Sequence, residues 1–282
     1  TELHDAVRAV KHPSYGAKAV PMLKKPVILD EKSPVNDELD FWQTTAVQVI
    51  SDLKYDDPAA IHALVGVIMT PNKIKLHNPA KTAMLKMPKP SVSVLTTALD
   101  GSDAEFAKMR EFWGPEKGYV IRLIDVLSYT SLPSARDAIL SSMGSADNDT
   151  NRAAYTQTLV LFPTEPKTLE AFKAGYAKLP PIAEKGSTGN ERSNLLVVAG
   201  DFFEPTLVPW LLAEGKAAKG DFIIAAQVNS LQSAIKLVQP EQKKVVDDAV
   251  KALEALKVSK AEMAAINNLR QAYDAAMTSL DK

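Results

Sequence analysis

Four histidines, His4, His12, His62 and His77, all fall in the first 77 residues of this chain of 282. Imidazoles are the side chains best suited to hold a metal or move a proton near neutral pH, so the cluster raises a metal site first. The spacing speaks against it. No two of these histidines stand at i, i+4, the separation that places two imidazoles on one helical face, and no HExxH occurs. Asp56, Asp57 and His62 can meet near a helix start, but Asp57 directly before Pro58 is explained by helix capping. The histidines are therefore read as surface or capping residues, and no metal is expected.

Other chemical signatures are equally weak. The chain has no cysteine, which removes disulfides, thiolate metal sites and cysteine nucleophiles. It lacks G-x-S-x-G, a P-loop and a dinucleotide-binding glycine pattern. Gly-Ser-Thr-Gly at 186–189 looks like a phosphate loop but has neither the preceding strand nor the following lysine, and reads as a flexible loop. Asp147-Asn148-Asp149 looks like the start of a calcium loop but lacks the glycine and glutamate further on, so Asp149 or Thr150 is read as a helix cap. No catalytic residue and no cofactor are expected.

Charge narrows the partners. With 33 basic and 34 acidic residues the formal net charge is −1, and only seven of the basic residues are arginine. Nucleic acid needs a basic excess on some face, so it is not expected as a partner. No apolar run reaches the roughly 20 residues that span a bilayer. The chain starts at Thr1, not Met, which fits a removed secretory signal or a lipid anchor on a cysteine just upstream. The periplasm or cell surface is therefore favoured over the cytoplasm.

The elements that would position any site are helices. In the stretch 131–162, Ala135, Ile139 and Met143, with Leu140, fall on one stripe at spacings of three and four. Prolines punctuate this pattern, because proline suits a first helical turn and breaks an interior. Pro13, Pro58, Pro90, Pro133, Pro166, Pro205 and Pro240 each open an amphipathic run, with gaps of 32 to 45 residues. The mean gap is about 38 residues, in the range of two-helix repeats. Second helices are predicted over 37–53, 79–87, 119–130, 150–162, 191–202, 221–238 and 260–280. Asn36, Asn78, Asp149, Asn190, Gly220 and Ser259 stand ready as caps. Ser102–Trp113 is predicted as an extra helix, and 25–35 and 180–189 as surface loops inside repeats. No composition shift marks a domain boundary, so one helical-repeat domain over 1–282 is expected.

The unit at Pro133 resembles a HEAT repeat. The match runs through Pro133, Ile139, Leu140, Asp147, Arg152, Ala153, Leu159 and Phe162, and Arg122 and Arg192 hold similar second-helix positions. By period it covers roughly 12–280, but it is sharp in this one repeat. Armadillo-like and other helical-pair repeats share the pattern. The resemblance implies an all-α fold, an α-α superhelix (a HEAT-like solenoid) of about seven hairpins. It also implies that an arginine such as Arg152 pairs with an acidic turn, and that the second helices line a concave face.

Candidate partner-binding residues follow from aromatics outside the apolar stripes and amides on the second helices. They are Trp42, Gln43, Trp113, Gln157, Asn194, Phe203, Trp210, Gln227 and Asn268. In the pairs Phe41–Trp42, Phe112–Trp113 and Phe202–Phe203 the second ring is expected to be the exposed one. A groove of neutral hydrogen-bonding groups suits a protein or extended peptide. The leading expectation is a non-enzymatic protein- or peptide-binding scaffold. The alternative is a structural subunit of a bacterial envelope or surface assembly, and an enzyme on a helical-repeat frame ranks below both.

Overall fold

Helix-period patterning becomes helix among the described residues. The computed structural model describes residues 2–25, 34–114, 118–181, 191–202, 204–207, 210–211, 214, 235, 240–255 and 260–280, and no strand occurs among them. Fourteen α-helices are described: α1 Glu2–Ala9, α2 Pro13–Lys24, α3 Pro34–Leu53, α4 Pro58–Met69, α5 Ile74–Leu85, α6 Pro88–Asp100, α7 Ala104–Trp113, α8 Tyr119–Tyr129, α9 Pro133–Ser142, α10 Asp149–Thr158, α11 Pro166–Ala177, α12 Glu191–Val198, α13 Lys243–Glu254 and α14 Lys260–Leu280. We call α2, α4, α6, α9, α11 and α13 the leading helices, and α3, α5, α8, α10, α12 and α14 the following ones. The expected helix at 221–238, residues 26–33 of the expected loop at 25–35, residues 182–189 of the expected loop at 180–189, and the caps Asn190, Gly220 and Ser259 lie outside the described residues, apart from a helical residue at Ile235.

Proline predicts most starts for the expected reason. Pro13, Pro58, Pro133 and Pro166 each occupy the first helical turn, where a missing N–H costs nothing. Asp57 caps α4, its carboxylate accepting from the Ala59 amide at 2.9 Å. Pro205 and Pro240 open 3-10 turns, Pro205–Leu207 and Pro240–Gln242, the latter running into α13. Four starts need correction. α6 opens at Pro88, and Pro90 sits two residues inside its first turn, where it is equally tolerated. α5 starts at Ile74, so Pro79 and Asn78 lie within it, because the apolar spacing through Leu76, Ala80 and Ala83 outweighs one lost backbone bond. α3 starts at Pro34, which puts Asn36 in the first turn. α10 starts at Asp149, and its cap is Asn148, whose side-chain oxygen accepts from the Asn151 amide at 2.8 Å.

The chain divides into two compact units, 1–151 and 152–282. In the first, each leading helix packs on the next: α2 on α4, α4 on α6, α6 on α9. The following helices do the same, α3 on α5 and α5 on α8. Within pairs, α2 packs on α3, α4 on α5 and α6 on α8. α1 lies on α3, and the extra helix α7 packs on α4 and α6. α4 sits at the middle of this arrangement, and its sequence shows it. PAAIHALVGVIM is apolar on nearly every side, and Ile61, Leu64, Val65, Ile68 and Met69 are fully buried. Burying each such side chain is worth about 1.5–3 kcal/mol against exposure.

Polar side chains from one helix close the ends of another. A helix leaves its last carbonyls without intrahelical donors. Gln43 Nε2 on α3 donates to the Met22 and Lys25 carbonyls at the end of α2, at 3.1 and 2.9 Å. Lys73 Nζ, just before α5, donates to Leu23 and Lys25 at 2.6 and 3.0 Å. Arg122 on α8 donates from Nε to Ile68 at 2.6 Å and from Nη2 to Met69 at 3.3 Å, closing α4. In the second unit Arg192 on α12 donates to Ala177, the last residue of α11, at 3.0 Å. Cations suit these sites doubly, because the C-terminal end of a helix carries partial negative charge.

The second unit is centred on aromatic rings. Phe172 and Tyr176 of α11 meet Phe202 and Trp210 edge to face, with centroids 5.1 Å apart for Phe172–Phe202 and for Tyr176–Trp210. The Leu159–Leu161 turn packs on the Ala199–Phe202 turn, and α13 packs on α14.

Candidate binding surface

α8 shows how the following helices differ from the leading ones. Its inner face buries Val120, Leu123, Ile124 and Leu127. Its outer face, at i, i+4 and i+8, carries Ile121, Asp125 and Tyr129, and two of these three are large apolar side chains: Ile121 is 40% exposed and Tyr129 60%. Across from it, Ile74 at the start of α5 is 73% exposed. The bias extends along the chain. Val35 on α3, Val197 on α12 and Met263 on α14 are exposed, as is Leu161 in the turn after α10. Among the described residues, α2, α4, α6, α9 and α11 carry no exposed large apolar side chain.

Between α5 and α8 lies a cleft of about 220 Å³ lined by Ile74, His77, Asn78, Lys81, Arg122 and Asp125, among others. Its charges are mostly satisfied. Lys81 Nζ stands 2.6 Å from Asp125 and 3.6 Å above the Tyr129 ring. Arg122 is anchored on the end of α4 as above, and burial pulls its pKa down. His77 Nε2 lies 2.9 Å from the Thr70 carbonyl and so donates to it. Burial lowers the His77 pKa, which keeps the ring neutral at pH 7. Asn78 is exposed, and its amide makes no hydrogen bond among the described residues. A neutral floor, a free amide and flanking apolar side chains can hold a peptide backbone and its side chains. Among the described residues, no three His, Asp or Glu side chains converge as a metal would require. No helix among them is long and apolar enough to cross a membrane.

The residues singled out from sequence take varied places. Gln157 on α10, Asn194 on α12 and Asn268 on α14 are exposed on following helices. Gln43 needs correction: it has no exposed surface, because its amide serves the end of α2. Trp210 is half-buried in the aromatic cluster of its unit. Trp42 is half-buried, edge-on to Phe41 at 5.2 Å, and lines a second cleft with α1 and α2. In the Phe112–Trp113 pair the exposure is the reverse of that expected: Phe112 is 76% exposed and Trp113 half-buried. Phe203 and Gln227 lie outside the described residues.

Sequence reasoning missed Ile74, Asn78, Lys81, Ile121, Asp125 and Tyr129. Ile74 and Asn78 fell before a helix start placed too late, at Pro79, and Lys81 lay within the predicted helix. Ile121 and Tyr129 had a legible signal, since apolar residues four and eight apart on the polar side of a helix mark an exposed apolar stripe. His62, read as a surface or capping residue, stacks on Phe106 at 4.1 Å and meets the cap residue Asp103 at 3.3 Å. No protein-family model, curated protein or solved structure matches this chain.

Proposed function

We propose that this chain is a non-enzymatic scaffold that binds a protein or extended peptide. In this reading its helical pairs form a HEAT-like α-α superhelix, and the following helices present the binding face. The observation that carries the reading is the distribution of exposed apolar side chains among the described residues, found on the following helices and not on α2, α4, α6, α9 or α11, with Phe112 on the extra helix α7 outside this pattern. Scattered apolar groups beside amides, with charges already paired, are the composition expected of a peptide-binding surface. Two further observations support the superhelix. Packing in the first unit links each helix to its partner and to its neighbours in series, the contact pattern of stacked repeats. Arg122 and Arg192 also serve the same purpose, each closing the end of a leading helix from a following one.

The test is to select peptides from a random display library on the full chain and remeasure their affinity with Ile74→Asp and Tyr129→Asp. Both residues are largely exposed, so the variants fold. The reading expects each substitution to weaken the selected peptides at least tenfold, with Lys89→Asp on α6 leaving them unchanged. Equal affinity in all variants would refute it.

A further inference from the structure

A second cleft, of about 250 Å³, opens between α1, α2 and α3, away from the α5–α8 surface. Its walls are Val7 of α1, Tyr15 and Met22 of α2 and the Trp42 ring of α3, and Ala46 forms part of its floor. Ala46 is 5% exposed, and its small side chain leaves the space open. Water inside such a lining finds few hydrogen-bond partners, whereas an apolar body of matching size gains contacts on every wall.

One charge stands at this cleft. Lys18 is the only charged residue of the lining. Its ammonium lies 5.6 Å from the centre of the Tyr15 ring, and it forms no ion pair among the described residues. A ligand that fills the cleft and meets Lys18 carries an apolar body and one negative end.

We propose that the α1–α2–α3 cleft binds a small apolar monocarboxylate, aliphatic or aromatic, its body against Trp42 and its carboxylate at Lys18. The geometry favours this over a neutral lipid, which would leave the cation without a partner. It also favours it over a phosphate or polyanion, because only one cation lines the space and the remaining surface is almost wholly apolar. The site is separate from the peptide-binding face, and the two proposals stand or fall independently.

Calorimetric titration of the full chain tests it, with octanoate and 3-phenylpropionate as probes and 1-octanol as the uncharged comparison. Both acids are expected to bind at one site, with 1-octanol weaker by about fivefold, the size a solvent-accessible ion pair supports. Lys18→Gln, at an exposed position, should erase the difference between octanoate and 1-octanol. Ala46→Leu should abolish binding of all three by filling the floor. Equal binding of octanoate to the wild type and to Lys18→Gln would overturn the proposal. So would the absence of any acid binding. Protection of this cleft by selected peptides, with no acid binding, would assign it to a partner's side chain instead.

Discussion

Lys73 Nζ lies 2.6 Å from the carbonyl oxygen of Leu23, so a lysine 50 residues further along the chain closes the end of α2. The side chain is buried, and burial lowers its pKa from 10.5 to about 8. The folded chain therefore releases this proton at lower pH than the unfolded chain does. Below pH 8 both states carry it and the cost of burying the charge is fully present. Between about pH 8 and 10.5 the unfolded state binds more protons, so stability rises with pH, by at most about 3 kcal/mol. Urea unfolding of wild type and Lys73→Met across pH 7 to 10.5 checks this. The wild type should gain stability relative to the variant above pH 8, and a constant difference would contradict the assignment.

Asp103 caps α7, its carboxylate accepting from the Glu105 and Phe106 amides at 2.9 and 3.0 Å, with His62 at 3.3 Å. The Phe106 amide bond is the main cause of a pKa below the usual value of 3.8, and His62 adds to it. A depressed carboxylate contributes stability that is present above about pH 4 and is lost as pH falls through the folded-state pKa. Asp103→Ala should cost about 1 kcal/mol at pH 7. Asp103→Asn should keep most of the cap and lose the acid-dependent part, which thermal melts at pH 3 and pH 7 will separate.

Two helical glycines should respond in opposite directions to alanine. A Cβ on Gly16 in α2 would lie 2.6 and 2.7 Å from the Cδ1 and Cδ2 atoms of Tyr55, so Gly16→Ala forces the ring aside. A cost of about 1–3 kcal/mol is expected. Gly66 in α4 has nothing within 4 Å of such a Cβ. Gly66→Ala should stabilise by about 0.5–1 kcal/mol through helix propensity and a smaller unfolded ensemble. Melting temperatures moving the same way would contradict the packing around one of the two.

Local signals in the sequence placed most helices and few contacts. Asp57-Pro58 and Leu132-Pro133 start α4 and α9 as expected because capping and proline geometry act within one turn. Pro79 misled for the same reason: taken alone it marks a start, and only the apolar spacing on both sides reveals a helix running through it. Gln43 looked like a surface amide because its burial depends on carbonyls about 20 residues away, at the end of another helix. The stripe of Ile121 and Tyr129 was legible, but its significance was not. What marks it is that α2, α4, α6, α9 and α11 show no exposed large apolar side chain among the described residues.

Amide hydrogen exchange of the full chain, with and without peptides selected from a random library, tests the binding face most directly. A bound peptide should slow exchange in α5 and α8 and leave α4 and α6 unchanged. Protection confined to the leading helices, or no peptide recovered by selection, would contradict it.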